Sequence, residues 1–179
     1  MKHSVLCACA LSVLSMSPAW AGKLKIDNPG FEASGVKPVG WTMLQHAGAA
    51  AYETAIDDKV FKEGKHSFSM KRKKKQVFGL LRQIVELPKD KKGKKLRFSA
   101  MLRTEKVGKG GWGLVVNFLA TPDGRIISQA RSKPVRGDTG WTRVEIVEPI
   151  PQGTGKLSIG VMLLDEGKGW IDDVKLSVE

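Results

Sequence analysis

Along most of the chain, apolar residues recur at every second position. Residues 95–103 show this best: Leu96, Phe98, Ala100 and Leu102 fall on one face, and Lys95, Arg97, Ser99, Met101 and Arg103 on the other. A period of two puts successive side chains on opposite sides of an extended backbone, so this segment reads as a half-buried antiparallel strand. Residues 142–146, 157–163 and 170–178 alternate in the same way, and residues 66–71, 77–87 and 112–120 read as further strands. Asp123-Gly124 marks a hairpin turn leading into residues 125–130. Turn signals recur at Gly64, 88–93, 108–111, 137–140, 151–155 and Gly167, and no segment keeps a helical period beyond a turn or two. This spacing predicts an all-β chain folded as an antiparallel two-sheet β-sandwich, or jelly roll.

The first 21 residues follow a different logic. Lys2 supplies a short positive start, residues 5–13 are apolar, and Ala19-Trp20-Ala21 forms an A-x-A cleavage site before Gly22. That order is the pattern of a secretory signal peptide, and the apolar run is too short to span a bilayer. The expected organisation is therefore a signal peptide over residues 1–21 and one domain over residues 22–179, in a periplasmic or secreted protein. Cys7 and Cys9, the two cysteines, leave with the leader. The mature chain then has no disulfide and no cysteine nucleophile.

Removing Lys2 takes the 30 basic residues to 29 against 18 acidic, a net charge of +11. Such a surplus attracts anions over distance. Outside the cytoplasm it points to acidic polysaccharide or another anionic envelope component, and nucleic acid is not expected. Two lysine-rich tracts concentrate the charge: Lys71-Arg72-Lys73-Lys74-Lys75, and Lys89, Lys91, Lys92, Lys94 and Lys95. Twelve strand residues lie between them, about 40 Å at 3.3 Å each, which puts the tracts at opposite ends of the sandwich. The next strand runs back and brings Lys106 and Lys109 to the first tract. Lys71, Arg72, Lys73, Lys74, Lys75, Lys106 and Lys109 are thus expected to form a polyanion-binding rim, unless the charge serves solubility alone.

Four segments carry a resemblance. Asn28-Pro29-Gly30-Phe31-Glu32 followed by Gly40-Trp41, Glu63-Gly64-Lys65-His66-Ser67, Gly140-Trp141-Thr142-Arg143 before Pro149-Ile150-Pro151, and Gly169-Trp170-Ile171-Asp172-Asp173-Val174 occur in the order seen in galactose-binding-like jelly rolls. The chain resembles that family, which includes many carbohydrate-binding modules. Residues 93–178 look closer still to bacterial jelly-roll domains found alone or beside regulatory modules, whose ligand is unassigned. The resemblance implies a structural calcium ion where the first loop meets the last strand, at positions matching Glu32 and Asp172. Two carboxylates are the minimum for such a site. In the alternative, Glu32 pairs with a lysine and Asp172 caps a turn.

Among the tryptophans of the mature chain, Trp41, Trp141 and Trp170 fall on framework positions. Trp112 stands among glycines at a strand start, where an exposed ring would stack on a sugar. It also shares parity with Leu114, Val116 and Phe118, which favours burial; both readings stay open. Arg82 interrupts Leu80, Leu81 and Ile84 and needs a partner. Arg103 lies on the polar strand face, and Asn117 is flanked by apolar residues. Trp112, Arg82, Arg103 and Asn117 are the candidate ligand residues. Catalysis has little support: His46 and His66 lack neighbours at ligand spacing, no G-x-S-x-G elbow occurs, and adjacent carboxylates such as Asp57-Asp58 point to opposite faces of a strand. The expected function is an exported, non-catalytic glycan-binding module. The alternative is an envelope protein–protein interaction domain.

Overall fold

The computed structural model describes residues 22–179 apart from Ser34, Val36 and Lys92; the signal peptide expected over residues 1–21 lies outside the described residues. Ten strands follow one another: β1 Gly22–Lys23, β2 Thr42–Gln45, β3 Tyr52–Asp57, β4 Ser67–Arg72, β5 Gly79–Glu86, β6 Lys95–Ala120, β7 Ile126–Arg131, β8 Val135–Pro149, β9 Thr154–Leu163 and β10 Lys168–Val178. The only helical element among the described residues is a 3-10 turn at Lys89–Lys91. All pairings are antiparallel.

One ladder curls into two layers because β6, 26 residues long, serves both. Its first half pairs with β10 and β8, and with β4 and β3 beyond β10 makes a first sheet; β1 extends β10. Its second half pairs with β9 and β7, and with β5 and β2 makes a second sheet. The turns expected at residues 108–111 and 137–140 are not turns. The chain stays extended there while β6 and β8 slip register together, between Thr104 and Val107 and again between Val107 and Trp112. Gly111, at φ +83°, absorbs the bend, and a Cβ there would run into Pro134.

The strand faces follow the alternation. Phe68, Met70, Phe98, Leu102 and Ile171 from the first sheet meet Leu81, Val85, Leu114, Val116, Leu157 and Ile159 from the second in one buried cluster. The first loop closes onto the last strand as expected: the Val174 amide donates to the Pro29 carbonyl at 3.0 Å, and Phe31 is buried against Trp41 and Phe68. Inward-facing Gln83 fastens this loop, accepting from the Asp27 amide and donating to the carbonyls of Asp27 and Gly40.

Trp112 belongs to this core. It is 0 % exposed, its Nε1 donates to the Trp170 carbonyl at 3.0 Å, and a Cβ on Gly169 would lie 2.5 Å from its ring. Its proposed exposure to a sugar is therefore corrected. Parity outweighs the glycines, whose missing side chains let the ring pack beneath the bend. Trp112→Ala is expected to cost about 3–5 kcal/mol of stability through the cavity it leaves, read as a fall in the urea midpoint.

Candidate functional site

The four candidate ligand residues separate. Trp112 is in the core, Arg103 is on the outer face of the first sheet, and Arg82 and Asn117 share the outer face of the second. Parity tells which side of a strand a residue takes but not which sheet the strand joins, so only Arg82 and Asn117 are brought together.

On the second sheet, Thr42, Arg82, Gly160, Val115 and Arg131 stand in one register row across β2, β5, β9, β6 and β7. Ile84, Ser158, Asn117 and Gln129 form the next row. The floor is small or shielded: Gly160 has no side chain, and Val115, Ser158 and Asn117 are buried although they point away from the inter-sheet core. Leu80, Val115 and Met162 form a separate apolar cluster there, with Leu44, Phe78 and Leu164 against it. Arg131 Nε donates to Gln129 Oε1 at 2.7 Å, and Gln129 Nε2 donates to Asn117 Oδ1 at 2.6 Å. That chain fixes three polar side chains and leaves the Asn117 amide NH2 and the two terminal guanidinium nitrogens of Arg131 to face a ligand. Ser158 Oγ is the buried side-chain atom left without a partner among the described residues. Gln129, Arg131 and Ser158 were missed in the sequence. Carrying the parity of Asn117 across the Asp123-Gly124 hairpin would have reached Gln129 and Arg131.

The first sheet's outer face is covered and neutralised. Arg97 forks between Glu145 at 2.7 Å and Glu179 at 2.8 Å, which holds its guanidinium more firmly protonated. Trp170 lies beneath Lys168, 4.3 Å from the ring centroid, and Arg103, at 5.7 Å. Asp57 accepts from Trp170 Nε1 at 2.8 Å, from Lys168 Nζ and from the amides of Lys59 and Val60. Burial opposes its charge, but these donors outweigh burial and hold its carboxyl below the usual range. A cleft of about 740 Å³ opens between this face and the first strand, lined by Leu24, Ile26, Arg97, Ser99, Arg143 and Lys175 among others.

The basic rim assembles at one end. Lys71 stands beside Lys168, which pairs with Glu105, while Lys95 meets Glu179 at the other end of β10. Asp165 joins the parts: it takes Arg72 at 3.1 Å and the Gly110 amide at 3.0 Å, and these donors hold its carboxyl low. Arg72, expected as a polyanion ligand, is thus committed to Asp165, and Lys73 pairs with Glu53 at 3.2 Å. Lys71, Lys74, Lys75, Lys106 and Lys109 have no ion-pair partner among the described residues. A cleft of about 730 Å³ lies between residues 72–77 and the Leu164–Glu166 loop.

The implied calcium site can be tested on its donors. Asp172, fully buried, accepts from the amides of Lys62, Glu63 and Asp173. Burial and the neighbouring Asp173 push its carboxyl up despite these bonds. Glu32 accepts from the amides of Lys65 and His66 and meets the His66 ring at 3.2 Å; these bonds overcome burial and hold it low. Calcium asks for carbonyl and carboxylate oxygens. Here N–H groups converge on both carboxylates, and no group of three acidic or histidine side chains assembles among the described residues. The set does not fit the ion: the carboxylates clasp the Asp58–His66 loop directly.

No family model matches the chain. It is 28% identical over 142 residues to an uncharacterised HTH-type transcriptional regulator, YbfP, of Bacillus subtilis, a match spanning 77% of this chain and 47% of that protein. The described residues hold no α-helix, so no helix-turn-helix lies among them. Among solved structures, TmCBM61 bound to β-1,4-galactotriose aligns over 88% of this chain and 100% of its own, with TM-score 0.59 and 22% identity. The CBM22-2 xylan-binding domain of Paenibacillus barcinonensis Xyn10C aligns over 84% and 98%, with TM-score 0.62 and 14% identity. The enzymatically active domain of bacteriophage CBA120 tailspike protein 4 gives TM-score 0.71 at 14% identity, over 87% of this chain but 21% of that one. The chain has the jelly-roll fold of carbohydrate-binding modules.

Two measurements check the electrostatics. Asp57 has a depressed folded-state pKa, so its stabilisation is present above the ordinary carboxylate range and lost as pH falls through the depressed value. Asp57→Asn is expected to lower the melting temperature at neutral pH and to flatten its decline below about pH 4. Melting curves with calcium chloride and with a chelator are expected to coincide; a clear drop on chelation would show that metal supports the Glu32–Asp172 clasp.

Proposed function

We propose that the chain is an exported, non-catalytic glycan-binding module whose ligand lies across the outer face of the second sheet. The observation that carries this is the Arg82–Gly160–Val115–Arg131 row beside Ser158, Asn117 and Gln129: donors at the walls, small residues on the floor. Sugar recognition needs such convergent polar groups over a shallow apolar base. Jelly-roll neighbours described as bound to β-1,4-galactotriose or as xylan-binding support the class. The face carries one carboxylate, Glu86, in an ion pair with Lys156, so it offers no acid–base pair for glycoside cleavage. A protein-docking role finds less support. The solved jelly-roll neighbours are glycan-binding modules, and the large exposed apolar side chains Val39, Phe61, Val77, Ile84, Ile126 and Val147 come from six different segments of the chain.

The leader pattern of residues 1–21 supports a periplasmic or secreted location, and no helix among the described residues is long and apolar enough to cross a membrane. Lys71, Lys74, Lys75, Lys106 and Lys109 would then draw the module to anionic envelope polymers through a weak, salt-sensitive attraction.

Affinity electrophoresis in gels containing xylan, β-1,4-galactan or polygalacturonate tests the site. At least one polymer is expected to retard the protein, and Arg82→Ala with Asn117→Ala to weaken that retardation about tenfold or more while the circular dichroism spectrum stays that of the folded chain. Undiminished retardation of the double variant, or loss on Lys74→Ala with Lys75→Ala instead, would move the site to the rim.

A further inference from the structure

We propose that the outer face of the second sheet selects acidic sugars, with uronate carboxylates held by Arg82 and Arg131; this deepens the glycan-binding reading and rests on it. On the first sheet Arg97, Arg143, Lys168 and Lys175 each pair with a carboxylate. On the second sheet the sole outward carboxylate, Glu86, is taken by Lys156. Arg82 and Arg131 have no carboxylate partner among the described residues, yet Arg82 is only partly exposed and both flank a shielded floor. A guanidinium cannot shed its proton to escape this, so an anion from outside completes the site.

The spacing fits a chain rather than a single small ion. Arg82 and Arg131 stand three inter-strand steps apart in one row, about 14 Å between backbones. Each guanidinium therefore meets a different part of an extended ligand. The Arg131 fork is already oriented through its Nε bond to Gln129. Beside it is a notch of about 90 Å³ walled by Gly113, Val115, Ser132 and Met162.

The floor also lacks what a neutral sugar uses most. Neither register row contains an aromatic ring, and Phe78, packed against Leu80, Val115 and Met162, is half-buried with the His46 ring 5.9 Å away, so stacking on a sugar face gives way to charge and hydrogen bonding. The unpartnered Ser158 hydroxyl lies in the second row, a polar group the protein itself leaves unsatisfied.

Titration calorimetry on the purified chain tests this with oligomers of galacturonate, of guluronate and mannuronate, and of glucuronate, each beside its carboxyl-reduced counterpart. At least one acidic oligomer is expected to bind, and its reduced form to bind about tenfold more weakly or worse. Arg82→Ala and Arg131→Ala are each expected to lose about tenfold in affinity, and Arg82→Lys not to restore it, because an ammonium lacks the planar fork. If Arg82→Ala lowers the melting temperature, Arg82→Gln, which keeps much of the stem, replaces it. A reduced oligomer that binds as tightly as its acidic parent and still depends on Arg82 overturns the acidic selection and leaves a neutral-glycan module. Absence of binding to every acidic and reduced oligomer overturns the acidic selection, and the glycan-binding reading falls with it where xylan and β-1,4-galactan gels give no retardation either.

Discussion

A strand shared by two sheets must change partners without stopping, and the path of β6 through residues 108–111 is the constraint on which this fold depends. The bend is held from inside by Trp112, whose ring occupies the space left by Gly169 and whose N–H ties to the Trp170 carbonyl. The same bend presents the Gly108 and Gly110 amides to the Leu164–Gly167 loop, where Glu166 and Asp165 accept them. Asp165 then takes Arg72, so the lysine tract is anchored to the corner rather than left as a loose tail. Beyond the corner, the register of β6 against β9 and β7 sets Val115 and Asn117 opposite Gly160 and Ser158 and beside Arg131 and Gln129. Moving β6 by one residue would exchange its buried and outward faces and dismantle these rows.

Much of the fold was legible because burial writes itself into a period of two. Leu96 to Leu102 and Leu157 to Leu163 show it and pack inward, whereas the alternation expected through residues 170–178 is broken by a bulge between Asp172 and Lys175, which puts Ile171 in the core with Val174 and Leu176 and leaves Trp170 on the outer face. Strands β2 and β3 were missed: both lie towards the sheet margins, β2 pairing only with β5 and β3 only with β4, and neither has an inward face that is apolar throughout. The glycines of 108–111 misled for a physical reason. Glycine permits both a reversal and a bend, and only partner exchange along β6 decides between them.

The candidate site was half legible. Arg82 and Asn117 announced themselves as polar interruptions of apolar runs, and they share a face. Arg103 was read from its place on a polar strand face, which belongs to the other sheet, where the guanidinium lies over Trp170. The Glu32–Asp172 pair was found by resemblance, yet its chemistry was not legible, because the groups that fill those carboxylates are backbone amides that any residue carries. Ser158 gave no sequence signal at all: a serine in a strand is ordinary until its neighbours fail to bond it.

Two populations of cations result, and their environments assign them different work. The rim lysines are solvated, and at physiological ionic strength their fields fade over about 8 Å, so on the proposed reading they would act on how often a polyanion arrives. They add little to how tightly it stays, since exposed pairs contribute about 0–1 kcal/mol each. Arg82 and Arg131 flank a floor of buried side chains, where charge-assisted, forked hydrogen bonds are shielded from water and demand a particular geometry. On the proposed reading, attraction at the end of the sandwich and discrimination across its second sheet would therefore be separable. Raising the salt should weaken the first steeply, while the second depends on which sugar carries a carboxylate within reach of the row.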